Sequence, residues 1–166
     1  MRGFIITGTS SGIGYELCKL LLESPENKVI GISRTQNIEH TNYHHIALDL
    51  NNISEIESID FPSWSNAEQI SLIHNAGWIG PIQKIGNQEL GAIASAYIIN
   101  LVAPAVLSNQ FISMYKSSQA QKVILSMSSG AAHTAIGGWS TYCSSKAGLD
   151  MLSKCIDEEY QDIINL

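Results

Sequence analysis

The sequence predicts an α/β fold, a doubly wound parallel sheet with helices on both faces. Three observations carry this. Short apolar runs alternate with longer amphipathic ones along the chain, the pattern of strands joined by right-handed helical crossovers. The strand-like runs are nearly continuous in apolar residues, as strands covered on both faces are. A Gly/Ser turn, Thr7-Gly8-Thr9-Ser10-Ser11-Gly12-Ile13-Gly14, lies between the first such run and the first helix, where open α/β sheets bind nucleotides.

Phe4–Thr7 is a β-rich run and predicts the first strand. Ile13–Leu22 has helical spacing, with Ile13, Leu17, Leu20 and Leu21 on one face, and Pro25-Glu26-Asn27 ends it. Val29–Ser33 predicts the second strand and His44–Leu48 the third, closing in Asp49. A short helix is expected near Ile53–Ile59, with loop after it. Ile70–His74 predicts the fourth strand, ending in Asn75-Ala76-Gly77. Helix resumes at Gln88, and a long helix is expected from Ala94 to Ser117, with Pro104 kinking it or marking a junction. Lys122–Met127 predicts the fifth strand, and Thr141 to Asp162 a final helix.

The chain has 166 residues, the size of a single domain, with no repeat, linker or low-complexity segment. Hydrophobic residues are 45% and charged residues 14%, which excludes disorder by charge. A net charge of -6 without a Lys/Arg cluster argues against nucleic acid. No apolar run is read as a bilayer span, and the start shows no secretory pattern, so a cytoplasmic chain is expected. Cys18, Cys143 and Cys155 are odd in number and widely spaced, which fits reduced thiols rather than disulfides or zinc. The 5 histidines form no metal pair at helical spacing; His44 and His45 are adjacent in a strand and point to opposite faces. Asn52-Ile53-Ser54 fits a glycosylation acceptor but has no secretion signal beside it.

In the glycine turn, Gly8 allows the tight bend, Gly12 lets backbone approach a pyrophosphate and Gly14 lets the helix pack on the strand. The helix N-terminus, with Ser10, Ser11 and Ile13 around it, offers free N–H groups to phosphate. The spacing T-G-x-x-x-G-x-G resembles the short-chain dehydrogenase/reductase family, whose fold is Rossmann-type. The second strand ends in Ile32-Ser33-Arg34-Thr35, with no acid to take a ribose 2′-OH. Arg34 can pair with a 2′-phosphate, with Ser33 adding a hydroxyl, so NADP(H) is preferred; otherwise Arg34 is a solvated surface residue. The resemblance implies that Asp49, with Leu50 beside it, contacts the adenine; a loop-capping Asp is the other reading. It also implies that Asn75, Ala76 and Gly77 support the cofactor site. The family's usual Asn-Asn-Ala-Gly has His74 at its first place here, read as a strand-end histidine held by local hydrogen bonds.

Tyr142-Cys143-Ser144-Ser145-Lys146 places Tyr142 and Lys146 on one helix face. Free tyrosine ionises near pH ~10 and is a poor proton donor at neutrality; a neighbouring ammonium favours its phenolate. Ser129 lies thirteen positions before Tyr142, matching the family's catalytic serine, with Ser128 its near neighbour. Asn100, in Asn100-Leu101-Val102-Ala103-Pro104, matches the family's fourth member, which holds a water for proton relay. The resemblance therefore implies Asn100, Ser129, Tyr142 and Lys146 as the catalytic set, with Tyr142 and Lys146 also on the cofactor. It covers essentially the whole chain.

Ser128-Ser129-Gly130-Ala131-Ala132 and the run from Gly138 to Leu152 look like the bacterial benzil reductases and are similar to sepiapterin reductases. These are NADPH-dependent reducers of ketones and vicinal dicarbonyls. The resemblance implies a carbonyl reductase acting on a small-molecule carbonyl; Trp139 lines an aromatic pocket or packs near a helix start. Two alternatives stay open: a truncated, non-catalytic dinucleotide-binding module, and an NAD(P)-dependent secondary-alcohol dehydrogenase. The family's chains continue into a sixth strand, a lid and a seventh strand, so residues 1–166 are expected to be a C-terminally truncated NADP(H)-binding domain. In the family strand order 3-2-1-4-5-6-7, Val123–Ser126 is then a sheet edge. A homo-oligomer of the full-length form is expected, through the long helices.

Overall fold

The computed structural model describes residues 1–165. Six parallel strands lie in the order β3-β2-β1-β4-β5-β6. They are β1 (Arg2–Thr7), β2 (Asn27–Ser33), β3 (Tyr43–Ala47), β4 (Gln69–His74), β5 (Gln121–Ser126) and β6 (Ile164–Asn165). The helices are α1 (Gly12–Leu22), α2 (Ile53–Glu57), α3 (Leu90–Tyr97), α4 (Ala103–Tyr115) and α5 (Ser140–Tyr160). The order turns outward on both sides of β1, which opens a crevice at the carboxyl ends of β1 and β4.

Period-two alternation in β1 feeds two cores. Ile5 joins Leu72, Leu107, Phe111 and Ile124 on one face. Phe4 and Ile6 join Cys18, Leu22, Val29 and Ile73 under α1 on the other. Phe111 is fully buried, a contribution of about 1.5–3 kcal/mol.

The inward face of α1 differs from the one its leucines suggest. Gly14, Cys18 and Leu22 are buried, whereas Ile13 is 65% and Leu20 62% exposed. The cause is Gly14: a β-carbon there would collide with the Gly8 carbonyl and the Asn75 amide. The helix must turn that glycine to the strand, and the residues four and eight further on follow it.

The expected long helix begins earlier, at Leu90, and holds a π-helical segment, Ile98–Val102, between α3 and α4. Pro104 has no N–H to close the ordinary bond to the Asn100 carbonyl. The ladder widens instead, and Ala103 N–H reaches back to the Ile98 carbonyl. By length and composition the run Leu90–Tyr115 is a candidate bilayer span, 26 residues of mean hydropathy 1.9, contrary to the expectation that no run qualifies. Its Ser, Asn, Gln and Pro residues interrupt the apolar pattern but carry no charge. Ala103, Leu107, Phe111 and Ile112 pack it on the sheet.

The expected free edge at Val123–Ser126 is shorter than predicted. Ile164 and Asn165 pair with Lys122 and Val123, leaving Ile124–Ser126 without a strand partner on that side among the described residues. Ile164 is 2% exposed, because its side chain completes the core that Ile124 and Ile156 begin.

Candidate active site

At the carboxyl ends of β1–β4 lies a groove of about 600 Å³. Gly8, Ser10, Ser11 and Ile13 form one wall, and Ser33, Arg34, Asp49 and Leu50 another. Asn75, Ala76, Gly77 and Trp78 form the floor towards α3. Gly12 and Gly14 stand behind the turn and do not line the groove. Gly8 has φ +74° and Gly12 φ +59°, which only glycine adopts without strain. A β-carbon on Gly8 would stand 2.9 Å from Ala76 Cα, so the turn lies flush on the end of β4.

Thr7 and Asn75 lock that junction. Thr7 Oγ1 accepts the N–H groups of Asn75 at 3.1 Å and Ala76 at 3.0 Å. The Asn75 amide donates to the carbonyls of Thr7 at 2.9 Å and Gly8 at 3.1 Å. Asp49 Oδ1 accepts the Asn51 N–H at 3.0 Å, so it caps its own loop while lining the groove. Arg34 is exposed at the groove mouth and has no acidic partner among the described residues. Ser33 lines the groove beside Arg34 as expected, but its hydroxyl is buried and donates to the Thr35 carbonyl at 2.9 Å, which engages the proton it was expected to offer a phosphate.

The second group of predicted residues meets where β4, β5 and α5 converge. Lys146 is 3% exposed. Its Nζ donates to the Met127 carbonyl at 2.8 Å and stands 5.9 Å from the centre of the Tyr142 ring. Burial pushes the Lys146 ammonium below the ordinary lysine range, and Asp150, one turn further along α5, pulls it back up. Asp150 also pairs with His133 at 3.2 Å. Tyr142 is partly buried, and Trp139 meets it edge-on at 5.8 Å.

Ser129 follows Met127 by two residues and caps the 3-10 turn Gly130–Ala132. Its Oγ accepts the Ala131 N–H at 3.2 Å, so its own proton is free to donate. Ser128 beside it is exposed, whereas Ser129 is half-buried.

Asn100 is fully buried in the π segment. Its Oδ1 accepts the Trp78 N–H at 2.8 Å, and its Nδ2 donates to the Trp78 carbonyl at 2.7 Å and to Ser145 Oγ at 3.0 Å. The amide is thus a clamp between the β4 loop and α5. Gly77 lies between these groups: a β-carbon there would be 3.4 Å from Lys146 Nζ and 3.6 Å from Asn100 Oδ1.

His74 is only half satisfied by local bonds. Nε2 meets Ser108 Oγ at 2.8 Å, but Nδ1 has no partner. Burial, with the Lys146 charge added, pushes the ring down to about 3.

Several contributors escape sequence reasoning. Thr7 and Ser145 lie inside the quoted motifs, and their hydroxyls are the signal that points to them. Trp78 and the Met127 carbonyl act through backbone and leave no side-chain signal.

Residues 3–165 match the profile of the family described as short chain dehydrogenase. A benzil reductase ((S)-benzoin forming) of Bacillus subtilis (strain 168) is 37% identical over 98% of this chain and 69% of its own. The protein of that name from Bacillus cereus is 35% identical over 96% of this chain and 69% of its own. Among solved structures, a 4-hydroxyisoleucine dehydrogenase complexed with NADH superposes with a TM-score of 0.86, at 25% identity over 99% of this chain and 72% of that one. The profile, these relatives and the shared sheet agree: the chain belongs to the short chain dehydrogenase family of oxidoreductases.

Proposed function

We propose that the chain is an NADPH-dependent carbonyl reductase acting on ketones or vicinal dicarbonyls of the benzil or sepiapterin kind. The observation that carries this reading is the buried Lys146 ammonium held between the Met127 carbonyl and the Tyr142 ring. The benzil reductase relatives support the substrate class.

The groove fits a dinucleotide. Its positive-φ glycines leave bare backbone at the start of α1 for a pyrophosphate, and the unpaired Arg34 guanidinium suits a 2′-phosphate. Asp49 and Leu50 would take the adenine end, and Asn75, Ala76 and Gly77 would back the nicotinamide end. A nicotinamide dinucleotide, when bound, would supply the hydride for the carbonyl carbon. Ser129, whose proton is free, donates to the carbonyl oxygen and stabilises its growing negative charge. Tyr142 gives that oxygen a proton as general acid. Lys146 steadies the phenolate left behind and reaches the ribose with the donors that Met127 does not use. Asn100 keeps the Trp78 loop and α5 in register, so that Gly77, Lys146 and Tyr142 stay together.

The test is nucleotide binding, followed by nicotinamide fluorescence. NADPH is expected to bind more tightly than NADH, and Arg34→Ala to weaken NADPH by about 10–100-fold, the worth of a charge-assisted pair. Equal affinities in the wild-type chain would move the reading to an NAD-dependent alcohol dehydrogenase. Saturable NADPH binding without turnover of aromatic diketones would leave a non-catalytic binding module.

The outer surface of Leu90–Tyr115 suggests how copies assemble. Only 28% of that apolar window is buried, and Leu90 at 85% and Met114 at 44% face outward. A surface of this kind pairs with a second copy. Light scattering is expected to give twice the chain mass; a monomer at micromolar concentration would overturn it. The free Cys18, Cys143 and Cys155 fit the reducing cytoplasm.

A further inference from the structure

A one-way run of hydroxyls lies between the glycine turn and the adenosine end of the groove. Ser33 Oγ donates to the Thr35 carbonyl at 2.9 Å. A serine hydroxyl has one proton, so Thr9 is the donor in the 3.2 Å bond between Thr9 Oγ1 and Ser33 Oγ. Thr9 has then used its own proton, and Tyr43 is the donor in the 3.0 Å bond to Thr9 Oγ1. The order is fixed from one end: Tyr43 to Thr9 to Ser33 to the Thr35 carbonyl. Thr9 is 1% and Ser33 7% exposed, so little water competes for these bonds. Gly31 makes the room, since a β-carbon on it would collide with the Tyr43 hydroxyl and stand 2.6 Å from Thr9 Oγ1.

A second tie joins the same two segments. Asn37 Nδ2 donates to the Ser10 carbonyl at 2.6 Å. Arg34 lies between the ties, with Ser33 bonded to Thr9 on one side and Asn37 bonded to Ser10 on the other. Both ties end on the turn that faces a pyrophosphate.

We infer that Thr9 and Tyr43, with Asn37, are positioning residues for nucleotide selectivity, which brace the Ser33–Thr35 turn against the glycine turn and so set the reach of the Arg34 guanidinium. The inference rests on the NADPH reading above. The pyrophosphate and the 2′-phosphate are joined through one ribose, so a cradle for the first and a fork for the second bind together only within the reach of that short link. NADH has no 2′-phosphate, and a displaced Arg34 leaves its affinity largely untouched. Neither Thr9 nor Tyr43 has to contact the nucleotide for this effect.

The experiment titrates the wild-type chain, Thr9→Val, Thr9→Ser and Arg34→Ala with NADPH and NADH by nicotinamide fluorescence. Thermal unfolding of each variant is followed in parallel. Thr9→Val keeps the shape and removes the hydroxyl. It breaks the bonds to both Ser33 and Tyr43 and is expected to lower the NADPH-over-NADH affinity ratio about fivefold, the net worth of the Thr9–Ser33 bond that ties the two turns. Thr9→Ser keeps the hydroxyl and is expected to hold the wild-type ratio. Thr9→Val with an unchanged ratio, or with both nucleotides weakened equally, would overturn the brace while Arg34 kept its role. No NADPH preference in the wild type, or no loss of it in Arg34→Ala, would sink the NADPH reading and the brace with it. Those two proteins alone reveal that failure, so the two outcomes are told apart.

Discussion

Tyr142→Phe is expected to keep its affinity for NADPH and to lose carbonyl reduction by about 10²–10⁴-fold, the usual contribution of a positioned general acid. The substitution isolates one atom. Phenylalanine keeps the edge contact with Trp139 at 5.8 Å and the ring face 5.9 Å from Lys146 Nζ. The hydroxyl has no hydrogen-bond partner among the described residues, so its loss leaves no buried group unsatisfied. Stability should therefore move by less than about 1 kcal/mol. In the proposed reading the grip on the nucleotide comes chiefly from the glycine turn and Arg34, which the substitution does not touch. Two readings decide the matter: the NADPH dissociation constant by fluorescence, and the rate of benzil reduction followed by nicotinamide absorbance. Unchanged turnover would remove Tyr142 from proton donation. Joint loss of binding and turnover would mean that the ring, not the hydroxyl, was the important part.

Tyr142 and Lys146 are legible in the sequence because local geometry makes four-residue spacing a shared helix face. The glycine turn is legible for a similar reason: positive φ at Gly8 and Gly12 is a property that residue type reports directly. The face of α1 is not legible from its leucines. What orients that helix is the absence of a side chain at Gly14, and the apolar count points elsewhere. Asn100 is found by its motif, but the motif does not tell of the clamp that its side chain makes. The π segment that aims its amide at Trp78 follows from Pro104, four residues on, a coupling through backbone hydrogen bonds that a motif does not express. Ser33 shows the opposite limit. Its position at the end of β2 is right, yet its proton belongs to Thr35, and only the fold brings Thr9 and Tyr43 to the same spot. Val123 reads as an open edge because the last residues are taken to stop short of a sixth strand, yet Ile164 and Asn165 already pair with Lys122 and Val123.

His74 carries the second large expectation, a loss of stability in mild acid. Unfolded histidine takes up its proton near pH ~6.5. In the fold the ring stays neutral down to about 3, because burial and then the Lys146 charge oppose a second cation. Between those limits the unfolded chain binds a proton that the folded chain refuses. Stability is therefore full above the unfolded value and falls with falling pH, by about 1.4 kcal/mol per pH unit in the steep part. From pH 7 to pH 5 the loss is about 2 kcal/mol, before most carboxylates begin to titrate. His74→Asn removes the titrating ring, and urea midpoints at the two pH values should then differ by less than in the wild type. A smaller slope remains, since His45 is pushed down by partial burial and by His44. Equal slopes in the two proteins would show that His74 does not titrate in this way. The absolute stability of the variant is a poor guide, because the asparagine side chain is smaller and changes the packing around Ser108. The slope is a property of the proton alone. It also bears on the site: a neutral His74 leaves the Lys146 ammonium without a second cation at its back.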